Sequence, residues 1–348
     1  MNVTILVTGG AGFIGSNFVR YQLAESEARI INFDLLTYAG NLANLEGCSE
    51  DPRYRFVRGD IRDRAALQKL FAEESITAVV HFAAESHVDR SVEGPEIFVT
   101  TNVLGTEILL EESRSAGVER FLMVSTDEVY GSLGTEGMFT ETSPLAPNSP
   151  YAASKASADL LCRAFFKTYD FPVLITRCSN NYGPYQFPEK LIPLMIANAM
   201  EGKPLPVYGD GQHVRDWLFV DDHCRALDLV LRKGTPGAVY NIGGCNEMAN
   251  LELVNLLVNK LEVSRDLITF VKDRPGHDRR YAIDAGKIMT ELGWEPSVLF
   301  AEGLGRTVDW YLDNRSWWET IRSGEYTRYY EEMYGEGGRH TRRPGDTS

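Results

Sequence analysis

Cysteine is scarce in this chain, and its number is odd. The 348 residues include five cysteines, none in a C-x-x-C pair: Cys48, Cys162, Cys178, Cys224 and Cys245. An odd count without such spacing argues against a disulfide framework and against a zinc site. We therefore expect reduced thiols in a cytoplasmic protein that holds no metal ion.

Basic residues are in the minority. Lysine and arginine together number 35 against 49 acidic residues, which gives a net charge of −14. This balance argues against nucleic acid as a partner, because phosphate-backbone binding depends on an excess of cations. It does not exclude a nucleotide ligand, since a few local cations are enough to bind a diphosphate.

Long apolar runs are also missing. Hydrophobic residues make up 43% of the chain, yet no run approaches the roughly 20 residues of a membrane-spanning helix. A strand-like segment starts at Val3, so we expect no signal peptide. These absences predict a soluble protein without a membrane partner.

Short apolar runs recur with helical patterns between them, and this alternation predicts an α/β fold with a doubly wound, Rossmann-like parallel sheet. The predicted strands are residues 3–8, 29–34, 54–59, 78–83, 120–126 and 173–179. Polar residues follow several of these strands. Ligands bind at the carboxyl ends of strands in such sheets, so we expect the functional site there.

After residue 181 the pattern changes to prolines, aromatics and mixed helices. We predict a dinucleotide-binding domain over 1–180, to which 216–243 returns, and a smaller mixed α/β substrate domain over 181–215 and 244–330. Residues 331–348 are rich in glycine and charge, and we expect a flexible tail.

The N-terminal segment predicts a dinucleotide site. A buried strand runs into a turn with Gly9, Gly12 and Gly15, and a helix follows. Glycines let the backbone approach a pyrophosphate, which then lies at the positive end of the helix. The next strand ends in Asp34, whose carboxylate suits the ribose hydroxyls of NAD and would repel a 2′-phosphate.

Two further motifs carry reactive groups. Thr126 ends the predicted fifth strand, Asp127 and Glu128 follow it, and Tyr151 and Lys155 are one helical turn apart. A lysine cation and a nicotinamide ring would both lower the pKa of the phenol, so that it could act as a base. Because neighbouring side chains on a strand point to opposite faces, both carboxylates must lie beyond the strand end to reach one ligand.

With these motifs in place, the chain resembles the extended short-chain dehydrogenase/reductase superfamily, and within it the dTDP-glucose 4,6-dehydratase family. The glycine spacing and the Tyr-x-x-x-Lys pair match the superfamily, and Thr126-Asp127-Glu128 matches the family. The segments 83–91, 177–184 and 274–281 resemble the same family, and the resemblance covers roughly residues 3 to 315.

The resemblance implies an NAD-dependent lyase that removes water from a dTDP-glucose substrate. The implied catalytic residues are Thr126, Asp127, Glu128, Tyr151 and Lys155. Implied cofactor contacts add Phe13, Ile14, Asp60, Ile61, Ala83, Ala84, Thr101 and Asn181 to the three glycines, Asp34, Tyr151 and Lys155. Implied substrate contacts are Ser86, Thr126, Asn180, Lys190, Leu191, Pro206, Tyr208, Arg215, Asn250, Arg274 and His277.

In the implied reaction Tyr151 takes the proton of the sugar 4-hydroxyl while NAD is reduced, Glu128 removes the C5 proton, and protonated Asp127 assists the leaving 6-hydroxyl. Several alternatives stay open: UDP-glucose as substrate, an epimerase or decarboxylase on the same scaffold, and a non-catalytic dinucleotide binder. Asn250 could instead cap a helix starting at Leu251, and we interpret His223 as structural. The family also implies a homodimer.

Overall fold

The computed structural model describes residues 3–274 and 276–322, so the predicted tail at 331–348 lies outside the described residues. In chain order the strands are β1 (Thr4–Thr8), β2 (Arg29–Asp34), β3 (Tyr54–Arg58), β4 (Ala78–His81), β5 (Arg120–Thr126), β6 (Val173–Cys178), β7 (Asn180–Tyr182), β8 (Leu205–Tyr208), β9 (Val214–Phe219), β10 (Val239–Ile242), β11 (Glu247–Ala249) and β12 (Ile268–Val271).

The α-helices are numbered in the same way. They are α1 (Phe13–Glu25), α2 (Arg64–Glu73), α3 (Val88–Glu93), α4 (Pro95–Phe98), α5 (Thr106–Ser115), α6 (Pro150–Tyr169), α7 (Leu191–Met200), α8 (Val220–Lys233), α9 (Asn250–Lys260), α10 (Gly286–Leu292), α11 (Phe300–Asp313) and α12 (Arg315–Ile321). A π-helical segment, Val99–Gly105, joins α4 to α5, and a 3-10 turn, Asp127–Tyr130, follows β5.

Seven parallel strands form the main sheet, in the order β10-β6-β5-β4-β1-β2-β3. The predicted parallel sheet is therefore confirmed, and each predicted strand agrees with an observed one to within two residues at either end. The strand order reverses between β1 and β4. In a doubly wound sheet this reversal opens a crevice at the carboxyl ends of the strands.

Helices cover both faces of the main sheet, which explains the uninterrupted apolar character of its strands. Ile5 and Val7 of β1 point into one core, shared with α1 and α8, whereas Leu6 points into the other, shared with α2, α5 and α6. The alternation along one strand thus anchors two separate helix layers.

A second region carries its own core. It contains a three-stranded sheet, β11-β9-β7, and a two-stranded parallel pair, β12 and β8. Helices α7, α9, α11 and α12 pack around these strands, with Trp217, Leu257 and Trp318 buried between them.

Residues 216–243 divide between the two sheets. Strand β10 extends the main sheet beside β6, whereas β9 pairs with β7 and β11 in the smaller one. The division of the chain into two domains at the stated boundaries stays a prediction. Among the described residues no helix combines the length and the apolar character that a bilayer crossing requires.

Candidate active site

The turn between β1 and α1 requires glycine. Gly9 has a φ of +73°, and a Cβ on it would lie 2.6 Å from the Ala83 nitrogen. A Cβ on Gly15 would lie 2.3 Å from the Gly9 carbonyl oxygen. Gly12, the N-cap residue of α1, has no side chain to cap the first amide groups. The positive end of the helix therefore faces the cleft with its N–H groups, as anion binding requires.

Asp34 ends β2 beside this turn. Its Oδ2 accepts a hydrogen bond from the Ala11 amide at 2.9 Å, and its Oδ1 accepts one from the Leu36 amide at 2.7 Å. Burial raises the pKa of Asp34, and the two backbone hydrogen bonds oppose that shift. The carboxylate is thus locked in orientation at the edge of the cleft.

Asp60 follows β3 and binds the guanidinium and backbone amide of Arg62. Burial works to raise the pKa of Asp60, but the hydrogen bonds from Arg62 outweigh it and hold that pKa below its usual value. Ile61 is buried next to it, and Thr101 lies in the π-helical segment. Such segments often occur at functional sites.

These residues line one cleft of about 350 Å³, a size within the range of ligand sites. Every implied cofactor residue lines it: Gly9, Gly12, Phe13, Ile14, Gly15, Asp34, Asp60, Ile61, Ala83, Ala84, Thr101, Tyr151, Lys155 and Asn181. The glycine turn, the uncapped helix end and the fixed carboxylate fit the pyrophosphate and ribose of a dinucleotide.

The reactive triplet lies at the end of β5, inside the same cleft. Thr126 is the last strand residue, and the 3-10 turn that follows begins at Asp127, so the prediction that both carboxylates lie beyond the strand is confirmed. Thr126 Oγ1 accepts from the Glu128 amide and donates to Asp127 Oδ1, both at 3.3 Å. The Thr126 hydroxyl thus binds the Asp127 carboxylate and caps the turn at the Glu128 amide.

Tyr151 and Lys155 lie one turn apart in α6 and are both buried. Ser149 caps this helix by accepting from the Ala152 amide, which secures the first turn in which Tyr151 lies. Lys155 Nζ donates to the Val124 carbonyl of β5 at 2.9 Å. The lysine therefore ties α6 to the strand that carries the triplet.

The predicted lowering of the Tyr151 pKa is not found in the protein by itself. Burial, followed by the nearby carboxylates Glu128 and Asp127, raises the pKa of this phenol well above its usual range, and only the Thr126 hydroxyl opposes the shift. Two positive charges were expected to lower this pKa, a lysine and a nicotinamide ring, and the protein itself supplies only the lysine, Lys155. Its ammonium group binds a backbone carbonyl, and burial lowers its own pKa.

The two carboxylates of the triplet differ in their surroundings. Burial, Glu128 and Asp216 raise the pKa of Asp127 well above its usual range. Burial raises the pKa of Glu128 as well, but the cations Arg274, Lys190 and Arg215 oppose it. The surroundings therefore favour the protonated form more strongly for Asp127 than for Glu128.

Part of the implied substrate set lines the same cleft, namely Ser86, Thr126, Asn180 and Lys190. Lys190 Nζ donates to the Ser86 carbonyl at 3.2 Å. The cleft lining does not include Leu191, Pro206, Tyr208, Arg215, Asn250, Arg274 or His277. Leu191 begins α7 and packs against the second core, and Pro206 is buried in β8.

Arg274 and Tyr208 share one partner, the buried carboxylate of Asp89. Arg274 Nη1 donates to Asp89 Oδ1, and the Tyr208 hydroxyl donates to Oδ2, both at 3.3 Å. Among the described residues Arg274 Nε is buried without a hydrogen-bond partner. The sequence did not single out Asp89, although it lies within the family-like segment 83–91.

Arg215 and Asn250 lie close to these groups in the chain fold. Arg215 donates to the carbonyls of Val214 and Asp278 and stacks on the Tyr281 ring, 4.3 Å from its centroid. Asn250 is the first residue of α9 and makes no side-chain cap, so the capping alternative is wrong. Its Oδ1 is buried and finds no partner among the described residues.

His277 belongs to a cluster with His213 and Asp273. The two imidazole rings stack with centroids 3.7 Å apart, and both approach the Asp273 carboxylate, His277 Nδ1 at 2.6 Å and His213 Nε2 at 3.3 Å. The ligand atoms lie within 4.8 Å of one another. However, the stacked ring planes are only 14° from parallel, so one ion could not lie in both ring planes without rotation of a ring.

Glu189 at the cleft was missed by sequence reasoning, whereas His223 was considered and does not line the cleft. Glu189 lines it and accepts a hydrogen bond from the Tyr38 hydroxyl at 3.2 Å, and burial raises the pKa of Glu189 to about 7. His223, interpreted as structural, is buried in α8 with Nδ1 2.8 Å from Asn181 Oδ1, and burial lowers its pKa to about 3. No local motif marks either role, because the partners are distant in sequence.

The comparisons with known proteins agree with this geometry. A family model described as GDP-mannose 4,6 dehydratase matches residues 6–307. The dTDP-glucose 4,6-dehydratase of Neisseria meningitidis serogroup B is 55% identical over 343 residues, which cover 92% of this chain and 97% of that protein.

Solved structures give the same result. The crystal structure of DesIV, a dTDP-glucose 4,6-dehydratase from Streptomyces venezuelae with NAD and TYD bound, is 55% identical with a TM-score of 0.90, covering 92% of this chain and 100% of that one. A UDP-glucuronic acid 4-epimerase from Bacillus cereus has a TM-score of 0.84 at only 31% identity, covering 89% and 99%. From the family model and the full-length match at 55% identity, this chain belongs to the dTDP-glucose 4,6-dehydratase family.

Proposed function

We propose that this protein is an NAD-dependent dTDP-glucose 4,6-dehydratase, which converts dTDP-glucose to dTDP-4-keto-6-deoxyglucose with loss of one water. The observation that carries the proposal is the pair Asp127 and Glu128 in the turn after β5, where nearby carboxylates add to the effect of burial on the pKa of Asp127 and three cations oppose it at Glu128. Elimination of water needs an acid and a base on the same ligand, and this pair supplies both.

The cofactor end supports NAD as the resident group. When bound, NAD supplies the oxidant for C4 of the sugar and the reductant for C6. The α1 amides would hold the pyrophosphate, Asp34 the ribose hydroxyls, and Asp60 and Ile61 the adenine. Asn181, held by His223, would contact the cofactor from the opposite side of the cleft.

The remaining roles belong to the side chains near the triplet. Tyr151 takes the 4-hydroxyl proton while Thr126 hydrogen-bonds the same oxygen, and Lys155 would bind the nicotinamide ribose. The resulting ketone acidifies the C5 hydrogen, which Glu128 removes. Asp127, protonated, gives its proton to the departing 6-hydroxyl. The positive charges of Arg274, Lys190 and Arg215 oppose the effect of burial on the pKa of Glu128 and so favour its ionised form.

The substrate contacts are proposed as a set. Arginines suit a diphosphate because their planar donors bind its oxygens bidentately, and Tyr208 offers a ring for the base. The proposed set comprises Ser86, Thr126, Asn180, Lys190, Leu191, Pro206, Tyr208, Arg215, Asn250, Arg274 and His277. The unpaired Arg274 Nε and Asn250 Oδ1 support ligand contacts there.

The assembly and location are part of the same proposal. We propose a homodimer, because Val99, Leu104 and Leu160 present exposed apolar side chains on the helices that adjoin the Tyr151 turn, and a second copy would bury them. We propose a cytoplasmic location, because all five cysteines are free thiols, as in reducing compartments.

Mass spectrometry of sugar nucleotides tests the activity. The purified protein is incubated with dTDP-glucose and, separately, with UDP-glucose, with no NAD added. A product lighter by one water from dTDP-glucose supports both the reaction and a retained cofactor. Activity with UDP-glucose alone would change the substrate, while an unchanged mass after NAD addition would contradict the dehydratase and favour an epimerase.

A further inference from the structure

A chain of hydrogen bonds connects the last described helix to the glycine turn. The indole Nε1 of Trp317, in α12, donates to Asn44 Oδ1 at 3.0 Å. Asn44 Nδ2 in turn donates to the Ala11 carbonyl at 2.9 Å. The Ala11 amide then donates to Asp34 Oδ2 at 2.9 Å. One continuous path thus runs from residue 317 to the carboxylate at the edge of the cleft.

Asn44 is buried within this path. It is only 2% exposed, and its backbone carbonyl accepts a hydrogen bond from Arg20 Nε of α1 at 2.8 Å. Removal of one partner from a buried amide leaves a polar atom unsatisfied, which costs more than the bond itself contributes. Loss of the indole donor would therefore leave the buried Asn44 Oδ1 without the partner that it has here.

Trp317 is itself held in place by an aromatic cluster. Its ring centroid is 5.0 Å from that of Trp310 and 6.1 Å from that of Tyr185. The Arg20 guanidinium lies over the Tyr185 ring at 4.8 Å, so the cluster contacts α1, which begins at the glycine turn. The indole thus reaches Asn44 from a fixed position.

We propose that Trp317 is a positioning residue for the dinucleotide turn, acting through Asn44 on the Ala11 peptide. Ala11 lies between Gly10 and Gly12, where a pyrophosphate would bind. Its N–H donates to Asp34, and its carbonyl accepts from the Asn44 side chain and from the Asn41 amide. The inference rests on the proposed function in one respect, that NAD binds at this turn. The rate at which the protein releases NAD then depends on a helix some 300 residues away in sequence.

Exchange of the bound cofactor tests the proposal. Purified protein is mixed with isotopically labelled NAD⁺, and the label retained by the protein is followed over time by desalting, denaturation and mass spectrometry. Trp317→Phe keeps the ring and removes the N–H donor. We expect exchange about 5- to 10-fold faster than in the wild type, the change expected for one buried hydrogen bond.

The matched control is Trp310→Phe, which removes an indole from the same cluster but leaves the bond to Asn44 intact. A general loosening of the cluster would accelerate exchange in both variants, which would overturn the proposal. Asn44→Ala adds a second check: if the path is real, the double variant Trp317→Phe/Asn44→Ala exchanges no faster than Asn44→Ala alone. Equal rates in wild type and Trp317→Phe would also overturn it.

Failure of the proposed function looks different. If the wild type neither retains NAD through purification nor binds added NAD, both proposals are refuted, the NAD-dependent activity and the positioning role of Trp317. If the wild type retains NAD and exchange is the same in all variants, only the role of Trp317 falls. Thermal unfolding of each variant identifies those that are folded before exchange is measured.

Discussion

At the dinucleotide end of the cleft the two acidic side chains are hydrogen-bonded within the protein, whereas around the triplet and the proposed nucleotide contacts several buried polar atoms are unpaired among the described residues. Asp34 accepts two backbone hydrogen bonds, and Asp60 binds Arg62. By contrast, Asp127 Oδ2, Asn250 Oδ1 and Arg274 Nε are buried and have no partner among the described residues. The carboxylates of the first end are already fixed in orientation, and the unpaired atoms of the second could accept hydrogen bonds from, or donate them to, the proposed substrate.

This difference suits the two ligands of the proposed reaction. A cofactor that is regenerated in each turnover can stay bound, so a rigid, satisfied site is no disadvantage. A substrate must bind and leave, and buried unpaired groups raise its specificity because an analogue lacking the matching atoms leaves them unsatisfied. The predictions below test the two ends separately.

The largest effect is expected from the acid of the triplet. Asp127→Asn keeps the shape and removes the proton donor, so turnover of dTDP-glucose should fall by roughly 10²- to 10⁴-fold. Oxidation at C4 does not use this group, so reduced nicotinamide should accumulate on the protein, detectable by absorbance in single-turnover mixing. Tyr151→Phe is the matched comparison, since it blocks the earlier step and should give no such accumulation. Rapid product formation by Asp127→Asn would refute the assignment.

At the dinucleotide end the backbone itself forms the site, so one methyl group should disrupt it. Gly15→Ala would place a Cβ 2.3 Å from the Gly9 carbonyl oxygen and 2.8 Å from Gly10 Cα. We expect loss of retained NAD and a decrease of about 2–3 kcal/mol in the free energy of unfolding. Gly94→Ala is the control, because a Cβ there meets nothing within 4 Å. Chemical denaturation and NAD content give the two readouts, and equal behaviour of both variants would contradict the steric argument.

Glu189 lies where the two ends meet and should make stability depend on pH. Burial raises its pKa from 4.5 to about 7, so the folded state holds a proton that the unfolded chain releases earlier. Its contribution to stability is fully present below pH 4.5 and is lost as the pH rises through about 7. The loss is at most about 3 kcal/mol.

The measurement compares wild type and Glu189→Gln by urea denaturation at several pH values. Glutamine is neutral throughout, so the variant should lose less stability than the wild type as the pH rises from 4.5 to above 7. Parallel curves for the two proteins would exclude Glu189 as the titrating group. Asp51→Asn, at an exposed ion pair with Arg53, serves as the control for a surface carboxylate.

The same contrast explains what the sequence could and could not predict. The glycine turn, Asp34 and the triplet lie in short continuous segments, so strand and turn patterns were enough to locate them. The Asp89 carboxylate accepts hydrogen bonds from Tyr208 and Arg274, which are 119 and 185 residues away in sequence. No local sequence pattern indicates these contacts. The Lys155 bond to Val124 was missed for a similar reason, since it depends on how α6 packs on β5.

The smallest effect is expected from Asp89, which joins two proposed nucleotide contacts without touching the reacting atoms. Its carboxylate accepts from Arg274 Nη1 and from the Tyr208 hydroxyl, so Asp89→Asn should loosen both side chains. A hydrogen bond to a charged group contributes about 1.5–3 kcal/mol, and part of it survives through the remaining amide oxygen. We therefore expect KM for dTDP-glucose to rise by about 10-fold with kcat nearly unchanged, since the triplet keeps its geometry.

Steady-state kinetics of Asp89→Asn separate this positioning role from a general structural one. A damaged fold would lower kcat and NAD content together, whereas a loosened nucleotide site raises KM and leaves NAD bound. Asp51→Asn again removes a carboxylate paired with an arginine, at a place that does not line the cleft, and should leave KM unchanged. If Asp89→Asn instead lowers kcat with an unaltered KM, Asp89 acts on the chemistry, and the division of the cleft into a preformed end and a ligand-completed end must be redrawn.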